Sequence, residues 1–247
     1  MGIWEESGGA QHLRPLDGQC WRVVESQRQA ATVSITDSLE SQAVLEELLE
    51  QHSKPPLPPA ADRLHYLLGA PFRYPPLPWG SRFGRRFEAG ICYGAVQLPT
   101  ALAECAFYRF VYLDGMQTPP PNRIDAQHTA FTLRYRAERA VLLQQPPFDR
   151  YPSLRSATSY RDSQALGSAL RDHRVQLAQY TSARDANAGI NVAIFDPAAV
   201  ASHRPSRHTP VYSQATVDQV DFKVASRLYR FRRGQFAVDG RLPLPPA

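Results

Sequence analysis

The chain has 247 residues, of which 43% are hydrophobic, enough for one large domain with a real core. Its formal charge of +5 rests on arginine, because Lys54 and Lys223 are the only lysines. The arginines are scattered and form no basic tail, which argues against direct nucleic-acid binding and leaves an anionic substrate or an acidic partner. Residues 1–11 carry two acids and no apolar core, and no apolar run is long enough to span a bilayer; Cys20, Cys92 and Cys105 form no CxxC pattern, so a cytoplasmic, membrane-free protein with reduced thiols is expected.

Taken in chain order, residues 20–25 read as a short strand. Asp37 opens a helix, with Glu40 three residues on as in a capping box and Val44, Leu45, Leu48 and Leu49 repeating at helical spacing through Glu50. The proline run 55–59 ends that unit, and residues 65–68 suggest another short element. Residues 90–96 read as a strand. Pro99 suits the first turn of a helix over 99–112 whose inward face is Leu102, Ala103, Ala106, Phe107, Phe110 and Val111. Strands are expected at 129–135 and 140–143, a helix at 162–173, and strands at 175–180 and 190–195. The tail, 217–238, reads as a hairpin turning at Arg233 and Gly234.

This order mixes helices and strands without regular βαβ alternation and shows no repeat. The expectation is an α+β fold on a mixed or antiparallel sheet with flanking helices. The whole of 1–247 reads as a single domain, and residues 1–60 as an N-terminal extension packed on its core.

The absent motifs narrow the function. There is no Walker A loop, no GxGxxG, no HExxH and no GxSxG, and the seven histidines show no metal-ligand spacing. Neither a resident cofactor nor a metal is expected. Three segments carry the remaining polar chemistry. The first runs from Gly80-Ser81-Arg82-Phe83 to Gly90-Ile91-Cys92-Tyr93-Gly94-Ala95. The second is Thr100-Ala101-Leu102-Ala103-Glu104. The third is Tyr180-Thr181-Ser182-Ala183-Arg184-Asp185, leading into 189–195. Glu104 is conspicuous: a carboxylate amid apolar helix residues needs a partner or it protonates. Arg82 is the nearest chemically suitable partner, and a structural ion pair is as consistent with the pattern as a catalytic one. Arg82 could clamp a phosphate, Tyr93 could stack on a ring or simply fill the core, and Ser182 could be a turn residue.

Together, over roughly residues 20–240, these motifs resemble the RES domain family, as do the opening Trp21-Arg22-Val23-Val24 and the lead-in Phe72-Arg73-Tyr74. The resemblance implies an ADP-ribosyltransferase-like fold. It also implies the toxin of a toxin–antitoxin pair, neutralised by a helix-turn-helix antitoxin of the Xre type. Carried over residue by residue, it makes Arg82, Tyr93, Glu104 and Ser182 the catalytic set, with Arg82, Tyr93 and Ser182 also binding substrate; Arg85 and Arg86 lie close to Arg82. NAD would be the substrate, cleaved at its nicotinamide–ribose bond by water or phosphate. Two alternatives are ADP-ribosylation of a specific protein and an inactive binding module. A homodimer within the toxin–antitoxin complex is also expected.

Overall fold

The computed structural model describes residues 2–26, 38, 40, 41, 44, 55–118 and 122–243. The elements in chain order are α1 (Ile3–Glu6), β1 (Arg14–Glu25), α2 (Tyr66–Arg73), β2 (Cys92–Ala95), α3 (Leu98–Asp114), β3 (Ile124–Leu142), α4 (Arg161–Asp172), β4 (Leu177–Thr181), β5 (Ile190–Ile194), β6 (Ser206–Ala215), β7 (Gln219–Val224) and β8 (Arg227–Arg232). The helix expected over 37–50 falls almost wholly outside the described residues. The fold is α+β, with one eight-stranded mixed sheet in the order β1-β2-β5-β4-β3-β6-β7-β8.

The sheet closes on itself. β1 pairs antiparallel with β2 at Trp21 and Ala95, and along its other edge with β3, from Arg14 opposite Ala140 to Glu25 opposite His128. β3 runs parallel to β4, β4 antiparallel to β5, and β5 antiparallel to β2. Five strands therefore form a ring, and closure leaves none of them with a wholly free edge. From the other half of β3, the antiparallel ladder β6-β7-β8 extends outward. Residues 14–25, which lie in the stretch expected to be an extension, thus supply a strand of the sheet itself.

Helices cover the faces. α3 lays Leu102, Ala106, Phe107 and Phe110 against Val211, Val220 and Phe222 of the ladder. It begins at Leu98, with Pro99 in the first turn where the missing N–H costs nothing. Of the six residues expected to face inward, Val111 alone is only partly covered. α4 packs Leu166 and Leu170 with Phe83, Tyr180 and Phe195, while α2 packs Leu68 and Phe72 with Cys20, Leu133 and Ile194.

Two sequence expectations need correction. The strands placed at 129–135 and 140–143 are one strand, β3, because β1 runs alongside the gap, pairing Asp17 with Arg136 and Leu16 with Ala137 and, past a register shift, Arg14 with Ala140. The tail hairpin turns at Ala225 and Ser226, not at Arg233 and Gly234: Val224 pairs with Arg227, and Ala225 takes the left-handed φ of 51° that the turn needs. Arg233 and Gly234 instead form a 3-10 turn, where Arg233 makes a two-pronged pair with Asp114 at 2.7 and 2.6 Å and Phe236 caps the α3 core.

His128, 3% exposed on β3, shares a hydrogen bond with Ser213 on β6 at 2.8 Å. Burial lowers its pKa from 6.5 to about 4, with Arg109 adding to the effect. The folded state therefore holds a neutral imidazole that the unfolded chain would protonate below its ordinary pKa. The resulting stability is complete above pH 6.5 and is lost as the pH falls towards 4, by on the order of 3 kcal/mol. Urea midpoints measured at pH 7.5 and 4.5 should fall clearly less for His128→Gln than for the wild type, and an equal fall would show that other groups set the acid limit.

Candidate active site

β1, β2, β4, β5, α3 and the loop before β2 line a cavity of about 500 Å³, with Tyr160 at the head of α4 completing it. Arg82, Tyr93 and Glu104 line it together with Arg22, Ser81, Cys105, Tyr108, Tyr160, Tyr180 and Asn191. Four tyrosine rings, two arginines and one carboxylate make a wall suited to flat rings and anionic groups. Ser182 is not part of that wall but touches it through Glu104.

Arg82 is carried by a loop that is fastened from several sides. Phe83 is fully buried and edges onto Tyr180 at 4.9 Å. Gln164 of α4 donates to the carbonyls of Trp79 and Ser81, both at 3.1 Å. Gly167 of the same helix lies so close that an added Cβ would stand 2.0 Å from the Phe83 carbonyl oxygen. The Tyr93 hydroxyl closes the loop from the strand side, pairing with Ser81 Oγ at 2.8 Å and accepting from the Phe83 N–H at 3.0 Å. Burial raises the Tyr93 pKa to about 12, so the phenol stays protonated. Both partners of that hydroxyl are protein groups, which leaves the ring as the surface Tyr93 offers to a ligand.

The expected pairing of Arg82 with Glu104 is not formed. Arg82, 8% exposed, directs Nη1 to the carbonyls of Leu154 and Ser156 at 3.2 and 3.1 Å, and its guanidinium stacks over Tyr160 at 4.8 Å. The loop after β3 and the turn before α4 thus compete successfully for Nη1.

Glu104 is held by neutral donors instead. Its Oε1 accepts from Ser182 Oγ and from Asn191 Nδ2, each at 2.6 Å. The Ser182 hydroxyl is completely engaged: it donates to Glu104 and accepts from the N–H groups of Arg184 and Asp185, both at 3.0 Å. The rest of that motif serves the same assembly. Arg184 is 5% exposed and lies over the Phe107 ring at 3.5 Å, while Asp185 accepts from Thr100 at the start of α3 at 2.7 Å. Gly189 leaves room for this tie, since a Cβ there would sit 2.1 Å from Thr100 Oγ1. Beside Glu104, the hydroxyl of Tyr180 has a pKa raised well above the ordinary tyrosine range, by burial first and by the nearby carboxylate as well.

Sequence reading gave no role to Arg22, Tyr108, Tyr160 or Asn191. Arg22 donates to the Tyr93 carbonyl and to Cys92 Sγ, binding β1 to β2 at the cavity. Asn191 was visible only as a polar residue in an otherwise apolar strand, which is a usable signal: a buried amide in such a run needs a polar partner. The tyrosines carried no sequence signal beyond ordinary aromatic packing.

The fold and site together define an α+β protein with a single carboxylate presented in an arginine- and tyrosine-lined cavity. The sequence matches the RES domain over residues 57–214, and the chain belongs to that family. β1 lies outside the matched span. No curated protein matches the chain. Among solved structures, the chain is similar to one in the crystal structure of the M. tuberculosis MbcT-MbcA toxin–antitoxin complex, at 12% identity and a TM-score of 0.49, covering 86% of this chain and 91% of that one. Among the described residues, no helix is long and apolar enough to cross a membrane, and no group of three or more His, Cys, Asp or Glu side chains could hold a metal ion.

The contact between Gly167 and the Phe83 carbonyl generates a prediction. Gly167→Ala should cost at least about 2 kcal/mol, since neither the helix backbone nor the loop backbone can yield cheaply. Chemical denaturation measures this, and an unchanged midpoint would mean that the Arg82 loop is only loosely docked on α4.

Proposed function

We propose that this chain is the toxin of a toxin–antitoxin pair and cleaves the nicotinamide–ribose bond of NAD in the cytoplasm. The observation that carries this is the Glu104 carboxylate. It is fixed by Ser182 and Asn191 through Oε1 alone, at the wall of a cavity large enough for a nucleotide and lined by tyrosines and arginines.

Heterolysis of the bond leaves its electron pair on the nicotinamide ring nitrogen, so the positively charged ring departs neutral and needs no general acid. The ribose is left with an oxocarbenium-like charge. Among the described residues, Glu104 is the one carboxylate in the cavity wall, and its Oε2 is suited to orient the ribose and oppose that charge. The guanidinium of Arg82, in the cavity wall, is suited to a phosphate oxygen. The Tyr93 ring supports the nicotinamide or the ribose. Ser182, whose hydroxyl is fully engaged, acts by holding Glu104. Water then adds to the ribose carbon and releases a proton, giving ADP-ribose; attack by phosphate would give the ribosyl phosphate instead.

Glu104→Gln keeps the side-chain shape and an oxygen for Ser182 and Asn191. The purified variant should lose on the order of a hundred- to a thousandfold in nicotinamide release while keeping its melting temperature within a few degrees. A variant that melts much lower yet keeps full activity per folded molecule would remove Glu104 from the chemistry. Radiolabel from NAD that accumulates on a lysate protein, without free ADP-ribose or ribosyl phosphate, would identify a protein acceptor instead.

The antitoxin would act by occlusion. Co-expression with the product of an adjacent helix-turn-helix gene should yield a stable complex, with NAD consumption suppressed at least about tenfold. Undiminished turnover by the purified complex would rule out blockage of the cavity.

A further inference from the structure

We propose that Asn191 is itself a ligand-contacting residue: together with Glu104 it reads the paired hydroxyls of the ribose that carries the scissile bond. This rests on the NAD reading above and extends it to a residue outside the sequence-derived set.

Asn191 lies on β5, opposite Tyr180 of β4 and Ala95 of β2, and is 2% exposed. Its Nδ2 donates to Glu104 Oε1 at 2.6 Å. That bond fixes the orientation of the amide, because the flipped form would set two acceptors against each other at the same distance. Asn191 Oδ1 is therefore the amide atom turned away from Glu104 Oε1. It is buried and has no hydrogen-bond partner. A buried carbonyl oxygen left unpaired is costly, and native structures seldom keep one without a use.

The place of this orphan is what gives it meaning. Among the described residues, the buried unpartnered side-chain atoms that belong to the main cavity wall are Asn191 Oδ1 and Arg22 Nε, and only the first is an acceptor. Ser182 stands on the other side of the same carboxylate with its donor and both acceptor sites filled, so it has nothing to offer a ligand. Asn191 Oδ1 and Glu104 Oε2 are then two acceptors linked through one hydrogen bond, and neither can donate. Their complement is a group with two adjacent donors. A ribose diol is such a group, and it is the part of the substrate that the carboxylate must approach if it is to oppose charge at the anomeric carbon. One hydroxyl goes to Glu104 and the other to Asn191. The amide oxygen has almost no exposed surface, so the wall must open slightly for the ribose hydroxyl to reach it.

Analogue discrimination tests the assignment. For the wild type and Asn191→Ala, kcat/KM would be measured on NAD, on NAD lacking the 2′- or the 3′-hydroxyl of the nicotinamide ribose, and on nicotinic acid adenine dinucleotide. Asn191→Ser serves if the alanine variant does not fold. The wild type should prefer NAD over each deoxy analogue by about tenfold or more, as expected where a site built for a hydroxyl loses it. The Asn191 variant should lose one of those two preferences, to within about threefold, and keep the other. If it loses activity by the same factor on every substrate, Asn191 only positions Glu104 and the proposal falls. If the preference that collapses is the one against nicotinic acid adenine dinucleotide, Asn191 faces the carboxamide, and the ribose assignment falls alone. A wild-type chain that neither releases nicotinamide from NAD nor binds ADP-ribose by calorimetry would overturn the NAD reading, and this proposal with it.

Discussion

A carboxylate set among apolar residues of a helix has to be met by donors from other elements, and at Glu104 they come from just past the end of one strand and from the start of the next. Ser182 follows β4, Asn191 sits on β5, and both give their hydrogen to the same oxygen. Neutral donors stabilise the charge without cancelling it, as an arginine would. The anionic group stays available, and its second oxygen is left to the cavity. Much of the surrounding structure serves to keep these three side chains in register. Asp185 ties the β4–β5 turn to Thr100 at the head of α3, Arg184 lies flat on Phe107 of the same helix, and Gly189 permits the close approach.

The closed ring explains why so short a strand as β2 is enough. It has four residues, yet β5 pairs with all of them and β1 meets it at Trp21. Arg22 adds a side-chain tie from β1 to the Tyr93 carbonyl. Tyr93 is thus fixed at its backbone by two neighbouring strands and at its hydroxyl by the Arg82 loop. The opposite wall is equally constrained, because Arg82 is bound to backbone carbonyls and stacked on Tyr160. Such a cavity is preorganised: the side chains that would meet substrate are oriented by bonds to the protein rather than by the ligand.

Strong signals were legible in the sequence. The apolar spacing of α3 gave its extent to within two residues at either end and its buried face apart from Val111. β4 and β5 were found near their true positions, and the α+β class followed from the order of elements. The four residues picked out by family resemblance do assemble around one cavity, with Ser182 reaching it through Glu104. What failed were elements defined by partners rather than by their own pattern. β3 read as two strands because the stretch between them is charged, and only β1 alongside makes it continuous. The tail turn reads at Arg233 and Gly234 in the sequence, whereas the pairing of β7 with β8 puts it at Ala225 and Ser226 and sets Ala225 in the left-handed conformation.

By itself, then, the sequence determined which residues carry charge into apolar surroundings, since a carboxylate between Ala103 and Cys105 is visible without coordinates and demands a partner on any fold. Who the partner is could not be read there. Arg82 was the natural choice by charge, but hydrogen bonding depends on which groups arrive within 3 Å, and the carbonyls of Leu154 and Ser156 reach Arg82 while Ser182 and Asn191 reach Glu104. Residues 78 and 87 positions along the chain from Glu104 become its neighbours only because β4 and β5 pair beneath α3. Tertiary structure alone decided that Ser182 is a fully bonded support and that Asn191 keeps an acceptor without a partner, because the hydrogen-bond capacity left over on a side chain is a property of its neighbours and not of its letter in the sequence.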